Sequence, residues 1–352
     1  MEIVITNLSK SYSRRTALKD ISLTIPAGIY GLLGRNGAGK TSLMRILAGL
    51  SAPSGGGIRM DNISIRETAR VREIVGYLSQ DFSMYQSMTV FGAMDYLGLL
   101  SEIPNPLRRE RINALLERVN LKDEAGTRIR ALSGGMLRRL GIAQALLHDP
   151  RILIVDEPTA GLDPEERIRI RSLLSDFSEG RIVLLSTHIA SDVEAICGRV
   201  AVLHEGSLLF QGSTEELSGL ADGKVYQITA PKEQDQQIRE KYICLNISHL
   251  RGGMEYRVLS DAPPEEPWEV RQPSLEDGYM YLLRSQEMGW TAGKAEGRQI
   301  TNIEKAETDG AQVTKIEKAE ACGPRIPKIE KARACGAGTC GEQCSDRGGA
   351  DL

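Results

Sequence analysis

Aromatic residues, long hydrophobic runs and an excess of charge of either sign are all lacking in this sequence. Phe, Trp and Tyr make up 5% of the 352 residues, and 44 Lys and Arg nearly balance 47 Asp and Glu, for a net charge of −3. This balance excludes the overall basic excess that is typical of nucleic-acid-binding proteins. No apolar run approaches the roughly 18 residues that cross a bilayer, and the N-terminus lacks a signal-peptide pattern. We therefore expect a cytoplasmic protein.

The shortage of aromatic residues is greatest in residues 291–352. After Trp290 there is no Phe, Tyr or Trp, and the only Leu is Leu352. Such a segment buries too little apolar area to offset the entropy lost on ordering, which predicts a disordered low-complexity tail. The tail repeats a 13-residue unit with an IEKA core at 300–312, 313–325 and 326–338. The repeats fit a tandem duplication of a flexible segment or a docking peptide for another protein.

The six cysteines follow the same division. Cys197 and Cys244 precede the tail, and the other four lie within it at positions 322, 335, 340 and 344. The spacing of the last three is compatible with a metal or iron–sulfur site, but paired C-x2-C knuckles and a nearby His are absent. Because a cytosolic compartment keeps thiols reduced, free cysteines are the favoured interpretation.

The strongest chemical pattern is GRNGAGKT at residues 34–41, which matches G-x4-G-K-[ST]. It follows an apolar run at 29–33 that predicts a strand, and it precedes residues 42–50, whose spacing predicts a helix. In this context the loop amides close around a phosphate, the lysine reaches the outer phosphates, and the threonine offers a hydroxyl to Mg²⁺. A Gly-rich turn with a surface lysine is the alternative interpretation.

Two acidic residues end a second apolar run, 152–155, in the sequence ILIVDEP. The run predicts a buried strand, and parallel strands of a doubly wound sheet present ligands at their carboxyl ends. Asp156 then fits the shell of a Mg²⁺ ion, and Glu157 fits a base that orients a water molecule onto the terminal phosphate. A solvated turn is the alternative for such a pair.

Between these two patterns lies LSGGM at residues 132–136. A serine and two glycines before a helix also occur as an ordinary N-cap, so the motif is informative mainly through its place in the order. Together with Tyr12, Gln80, AGLD at 160–163 and His188, the set resembles the nucleotide-binding subunit of an ABC transporter. The resemblance covers about residues 1–285, and the LSGGM form is similar to the branch that powers ABC-2-type exporters.

This resemblance implies an α/β fold, namely a P-loop NTPase of the ABC ATPase type with a helical signature subdomain, and it implies ATP and Mg²⁺ as ligands. The catalytic residues that it implies are Glu157, His188 and Gln80. The implied Mg²⁺ ligands are Thr41, Gln80 and Asp156. The implied ATP contacts are Tyr12, Gly34, Arg35, Asn36, Gly37, Ala38, Gly39, Lys40, Thr41 and Ser42 in one subunit, and Ser133, Gly134 and Gly135 in another.

Because this family closes each nucleotide between two subunits, the resemblance implies a head-to-tail dimer of identical or different ATPase chains. It also implies a separate membrane permease, which would hold the chain at the cytoplasmic face of the membrane. Residues 81–100 mix apolar and polar side chains, which fits a helical wall of a groove for the permease or an ordinary amphipathic helix packed on its own domain.

The predicted organisation is an ATPase domain at 1–215, a small α+β accessory domain at 216–290 and the tail at 291–352. The accessory part has three predicted strands and a capping-box start to a final helix at Ser274. The predicted function is ATP hydrolysis that powers export of an unknown compound, with drug or antibiotic efflux as one case. The alternative is a soluble ABC ATPase that acts on ribosomes or DNA, a class that usually has two nucleotide domains or a coiled-coil insertion.

Overall fold

The computed structural model describes residues 1–13, 15–250 and 252–287, and the predicted tail with its repeats and cysteines lies outside the described residues. The strands are β1 (Glu2–Tyr12), β2 (Arg15–Pro26), β3 (Gly28–Leu33), β4 (Gly55–Met60), β5 (Ile63–Ser64), β6 (Val75–Leu78), β7 (Ile152–Asp156), β8 (Ile182–Thr187), β9 (Arg199–His204), β10 (Ser207–Ser213), β11 (Val225–Ala230), β12 (Ile243–Leu250), β13 (Gly253–Leu259) and β14 (Trp268–Val270). The α-helices are α1 (Lys40–Leu47), α2 (Thr68–Ile74), α3 (Val90–Leu100), α4 (Asn105–Arg118), α5 (Gly134–Leu146), α6 (Pro164–Phe177), α7 (Ala190–Ile196), α8 (Thr214–Gly219), α9 (Asp235–Lys241) and α10 (Leu275–Glu287).

A six-stranded sheet with the order β10-β9-β3-β8-β7-β6 forms the centre of the fold. All neighbouring strands are parallel except β10, which pairs antiparallel with β9. Side chains of β7 alternate between two hydrophobic cores, with Leu153 and Val155 in one and Ile152 and Ile154 in the other. Burial on both faces explains why this strand is an unbroken apolar run rather than an alternating one. Its carboxyl end therefore places Asp156 at the edge where α/β sheets bind ligands.

A second, antiparallel sheet with the order β2-β1-β4-β5 covers one face of the central sheet. In β1, Ile3, Ile5 and Leu8 are buried, whereas Glu2, Thr6 and Asn7 are exposed, which is the pattern of a strand with one solvated face. These side chains share a core with Leu43 and Met44 of α1. The observed helix differs from the predicted helix at 42–50, because α1 begins at Lys40 and ends at Leu47.

On the other face, α3, α4 and α5 pack into the second core. The predicted amphipathic helix at 81–100 is only partly formed, because α3 begins at Val90. Thr89 caps this helix by accepting a hydrogen bond from the amide of Gly92 at 3.1 Å, and such a cap fixes where a helix starts. Residues 81–89 are irregular, which leaves them as a connection between Gln80 and α3.

The C-terminal elements include a third sheet, with the order β12-β13-β11-β14, which buries Tyr226, Ile228 and Tyr256 together with α9. The predicted capping box is present at the start of α10, where Ser274 and Asp277 exchange backbone and side-chain hydrogen bonds. The predicted boundary at 215/216 falls inside α8, and α8 and α10 contribute to the same core as α5. The domain division itself stays a prediction.

No helix among the residues described has the length and apolar character needed to cross a membrane.

Candidate functional site

The glycine-rich loop at 34–41 lies between β3 and α1, as the sequence predicts. Gly37 and Gly39 have φ angles of 83° and 108°, a region in which side chains other than hydrogen are strained. A Cβ atom on Gly34 would lie 2.4 Å from the carbonyl oxygen of Leu203. The loop therefore needs glycine for its backbone conformation and for its contact with β9. Helix α1 carries no acidic residue in its first turn, so its N-terminus is open to an anion.

Lys40 is buried and lies inside this loop. Its Nζ donates a hydrogen bond to the carbonyl oxygen of Gly34 at 2.6 Å and lies 3.6 Å from Oε1 of Glu157. Burial lowers the pKa of Lys40, and the carboxylates of Glu157 and Asp156 oppose that shift. The ammonium group thus lies between the loop and the acidic pair, where an incoming phosphate is a stronger partner than a carbonyl.

Asp156 is fully buried at the end of β7 and accepts a hydrogen bond from the Thr41 hydroxyl through Oδ2 at 2.9 Å. Its other oxygen, Oδ1, is buried and has no hydrogen-bond partner among the described residues. An unpartnered buried carboxylate oxygen beside a threonine hydroxyl fits Mg²⁺, a hard cation that takes oxygen ligands. The described residues contain no cluster of three or more acidic, His or Cys side chains that could hold a metal. A Mg²⁺ site commonly combines one or two carboxylates with substrate phosphates.

Glu157 is also buried, but its neighbours differ from those of Asp156. The Nδ1 atom of His188 lies 3.0 and 2.9 Å from the two carboxylate oxygens of Glu157. The Glu157 backbone has a φ angle of 49°, which is left-handed and costly for a residue with a side chain. Its amide donates to the carbonyl of Ser186 at 2.9 Å, at the end of the neighbouring strand β8. Tertiary contacts thus hold both the carboxylate and the strained backbone.

One cavity of about 340 Å³ joins most of the predicted nucleotide residues. It is lined by Tyr12, Arg15, Ala17, Arg35, Asn36, Gly37, Ala38, Gly39, Lys40, Thr41, Ser42, Gln80, Asp156 and Glu157. Tyr12 is 44% exposed, and Nζ of Lys10 lies 4.7 Å from the centroid of its ring. Gln80 is exposed at the cavity wall, and His188 reaches the site through Glu157. The structure thus brings together the residues predicted for one face of a nucleotide.

The predicted signature residues do not line this cavity. Ser133 is the N-cap of α5, since its Oγ accepts a hydrogen bond from the amide of Met136 at 3.2 Å, and Ser133 and Gly134 are exposed. A Cβ atom on Gly135 would lie 3.1 Å from the side chain of Glu166. The capping role that the sequence left open is therefore present.

Three features of the site were missed by the sequence analysis. Arg15 lines the cavity and lies with Nη2 3.5 Å from the carbonyl of Gly37. Thr159 donates a hydrogen bond to the buried Asp192, which also binds Arg171. The third is Arg138, which contacts the backbone around Gln80 and Glu157. No motif marks any of these residues, since their partners are backbone atoms or lie far along the chain.

Comparison with known proteins agrees with this geometry. A family model described as ABC transporter matches residues 18–160. An uncharacterized ABC transporter ATP-binding protein of Synechocystis sp. is 36% identical over 287 residues, which cover 76% of this chain and 78% of that protein. A Nod factor export ATP-binding protein I of Paraburkholderia xenovorans is 40% identical over 222 residues, covering 60% and 70% of the two chains.

Among solved structures, a dimeric ATP-binding cassette in a post-hydrolysis state with ADP and Pi bound is similar, with a TM-score of 0.56 and 26% identity. The similarity covers 60% of this chain and 98% of that one. The predicted α/β P-loop NTPase fold is confirmed. The chain belongs to the ATP-binding proteins of ABC transporters and is an ATPase of that family.

Proposed function

We propose that this chain is the ATPase subunit of an exporter, and that two copies, or this chain and a related one, act head to tail. The observation that carries the proposal is the division of the predicted ATP contacts. The cavity holds the phosphate loop, Tyr12, Asp156 and Glu157, whereas the signature residues lie outside it, with Ser133 and Gly134 exposed. A second subunit supplies the missing contacts when its Ser133, Gly134 and Gly135 cover the nucleotide.

Within one copy, the residues of the cavity divide the work on ATP. Tyr12 stacks on the adenine, while Lys40 and the amides at the start of α1 bind the phosphates. Thr41, Gln80 and Asp156 would hold Mg²⁺, which when bound neutralises charge on the phosphates. When Lys40 shifts to a phosphate, its ion pair with Glu157 weakens, and the carboxylate is free to accept a proton from the attacking water. His188 keeps Glu157 oriented and contacts the terminal phosphate.

The second subunit contributes the N-terminus of its α5. This 13-residue helix has no acidic residue in its first turn, and its first two residues are glycines. The amides and the helix dipole there favour the negative charge of a terminal phosphate. Binding of ATP closes the dimer, and hydrolysis reopens it, because separated products no longer bridge the two subunits.

A surface beside the nucleotide site fits the permease. Tyr85, Tyr96, Leu99 and Leu100, here called the α3 patch, are 62%, 39%, 59% and 62% exposed, and the first two rings pack edge to face at 5.9 Å. Apolar side chains grouped at a surface mark interaction sites. Residues 81–89 connect this patch to Gln80, the predicted Mg²⁺ ligand. Movement of a permease helix docked on the patch would therefore be passed to Gln80 through this segment. The chain is then held at the cytoplasmic face of the membrane.

Export is supported by the relative named for Nod factor export and by the LSGGM form of the signature. The transported compound is recognised by the permease, so its class does not follow from this chain.

Photo-crosslinking tests the partnership. A photoreactive residue replaces Ser87 beside the α3 patch, or Asn62 in the turn after β4 as the control, and the chain is expressed in its own host. We expect a crosslink from position 87 to a polytopic membrane protein, and none from position 62. Ribosomal proteins or DNA crosslinked at position 87 would contradict the proposal, as would an equal yield from both positions. Transport in vesicles that contain the crosslinked pair then distinguishes export from import.

A further inference from the structure

Arg138, in the second turn of α5, binds backbone oxygens of two loops at once. Its guanidinium donates to the carbonyls of Ser79 at 3.1 Å and Gln80 at 2.7 Å. It also donates to the backbone carbonyl of Asp156 at 2.7 Å and to that of Glu157. Its Nε donates to the carbonyl of Pro158 at 3.3 Å. One side chain of the signature helix therefore holds the loop of the predicted Mg²⁺ ligand Gln80 and the loop of the predicted base Glu157.

The chemistry of the guanidinium suits this task. Its five N–H donors form a rigid planar fork, and all five acceptors named above are carbonyl oxygens. Burial lowers the pKa of Arg138, and the negative charges of Asp156, Glu157 and Asp81 oppose that shift. One of the bound carbonyls is that of Glu157, whose left-handed backbone needs surrounding contacts to persist.

We infer that Arg138 is a positioning residue for hydrolysis, which ties Gln80 and Glu157 to the helix that carries the signature residues. The inference rests on the proposed roles of Gln80, Glu157 and residues 133–135. When the N-terminus of α5 engages the nucleotide of the partner subunit, the helix moves as a rigid element. Through Arg138 that movement reaches the loops of Gln80 and Glu157 in its own subunit. Binding of nucleotide in the cavity and contact of α5 with the partner's nucleotide then both affect Gln80 and Glu157, the two groups proposed to act on water.

A merely structural role for Arg138 predicts different kinetics. If Arg138 only supported the fold, its loss would lower stability and weaken nucleotide binding together. If it positions Glu157 and Gln80, its loss lowers kcat, because a displacement of a catalytic group by about 1 Å costs up to about 100-fold in rate. ATP affinity then stays the same, since the phosphate loop and Tyr12 are not among the contacts of Arg138.

The experiment compares Arg138→Ala and Arg138→Lys with Arg181→Ala in the full chain. Arg181 is a matched control, because its Nη1 also donates to a backbone carbonyl, that of Pro150 at 2.9 Å, but it precedes β8 at the opposite end of the sheet. We expect Arg138→Ala to lower kcat by about 10- to 100-fold with an unchanged KM for ATP. Arg138→Lys should recover part of the loss, because an ammonium group replaces only some of the five bonds, and Arg181→Ala should keep the parental kcat.

Two further measurements separate positioning from support of the fold. In a single-turnover assay, Arg138→Ala should add little to Glu157→Gln, because residues that act as one unit are not additive. Size-exclusion chromatography with ATP should show that Arg138→Ala still dimerises and stays dimeric longer than the parent.

The inference is overturned if Arg138→Ala keeps the parental turnover or raises the KM for ATP. It is also overturned if Arg138→Ala no longer dimerises with ATP, or if its effect is fully additive with that of Glu157→Gln. If Arg138→Ala fails to fold, the kcat of Arg138→Lys becomes the test. A folded Arg138→Lys variant with the parental kcat would then overturn the inference. Parental turnover in Glu157→Gln alone contradicts the proposed function instead, so the two failures are distinguishable.

Discussion

At the scale of single residues, the two acidic side chains that follow β7 have different surroundings. Asp156 accepts one hydrogen bond from Thr41 and keeps a buried oxygen without a partner among the described residues. Glu157 instead lies between Lys40 and His188. An unpartnered oxygen suits a cation, whereas a carboxylate held between two basic groups is oriented and can accept a proton once Lys40 moves. The structure thus supports different roles for two neighbouring acids.

Replacing Glu157 with Gln tests the base. Gln fills the same space and can still bind His188, but it cannot accept a proton from water. We expect Glu157→Gln to lower kcat by about 10²- to 10⁴-fold while ATP affinity is kept, measured by phosphate release and by binding of a fluorescent nucleotide. Glu165→Gln is the matched control, since Glu165 is exposed on α6 and pairs only with Arg169 among the described residues. A Glu157→Gln variant as fast as Glu165→Gln would refute the assignment.

At the scale of elements, the loop between β3 and α1 is fixed by its glycines. Gly39 is the N-cap of α1, where its φ angle is 108°, and a Cβ atom there would lie 2.6 Å from the carbonyl of Ala17. We expect Gly39→Ala to lower the free energy of unfolding by about 1 to 3 kcal/mol, because both backbone strain and a close contact oppose the new methyl group. Chemical denaturation measures the change, and ATP affinity should fall with it because the loop amides are displaced.

The control for this change is Gly126→Ala. A Cβ atom on Gly126 has no neighbour within 4 Å, and this residue is exposed. An exposed substitution of this kind changes stability by no more than about 0.5 kcal/mol. Equal stability of Gly39→Ala and Gly126→Ala would show that the loop does not need the left-handed conformation that the structure gives it.

At the scale of the whole molecule, the separation of the cavity from the signature residues makes a prediction about mixed dimers. Lys40→Ala removes the phosphate ligand of the cavity. Gly134→Asp adds a negative charge and bulk where the partner's phosphate would bind, and its Cβ has open space around it, so the chain keeps its fold. Each variant alone should hydrolyse ATP slowly, because every site of its dimer contains the lesion.

A mixture of the two variants should regain turnover. In a mixed dimer, both lesions fall on one site, and the other site combines an intact cavity with an intact signature motif. We expect phosphate release from the mixture to exceed that from either variant alone, with two unmixed samples at the same total concentration as controls. No gain on mixing would mean that each chain completes its own site, which contradicts the head-to-tail arrangement.

The sequence by itself determined the elements whose cause is local. The apolar runs at 29–33 and 152–155 predict β3 and β7, because strands buried on both faces need continuous apolar residues. The glycine-rich loop and the capping box at Ser274 were also predicted, since their hydrogen bonds join residues a few positions apart. The order of the motifs then identified the family, which the comparisons confirm.

Only the tertiary structure decided the contacts that join distant parts of the chain. The start of α3 at Val90 and the exposed short strand β14 have no clear period in the sequence. Arg138 binds carbonyls up to 59 positions away, and every residue presents the same carbonyl group, so no side-chain pattern could reveal its partners. Local patterns thus predicted which residues bind phosphate and metal, whereas the packing of α5 against two loops decided how those residues are held.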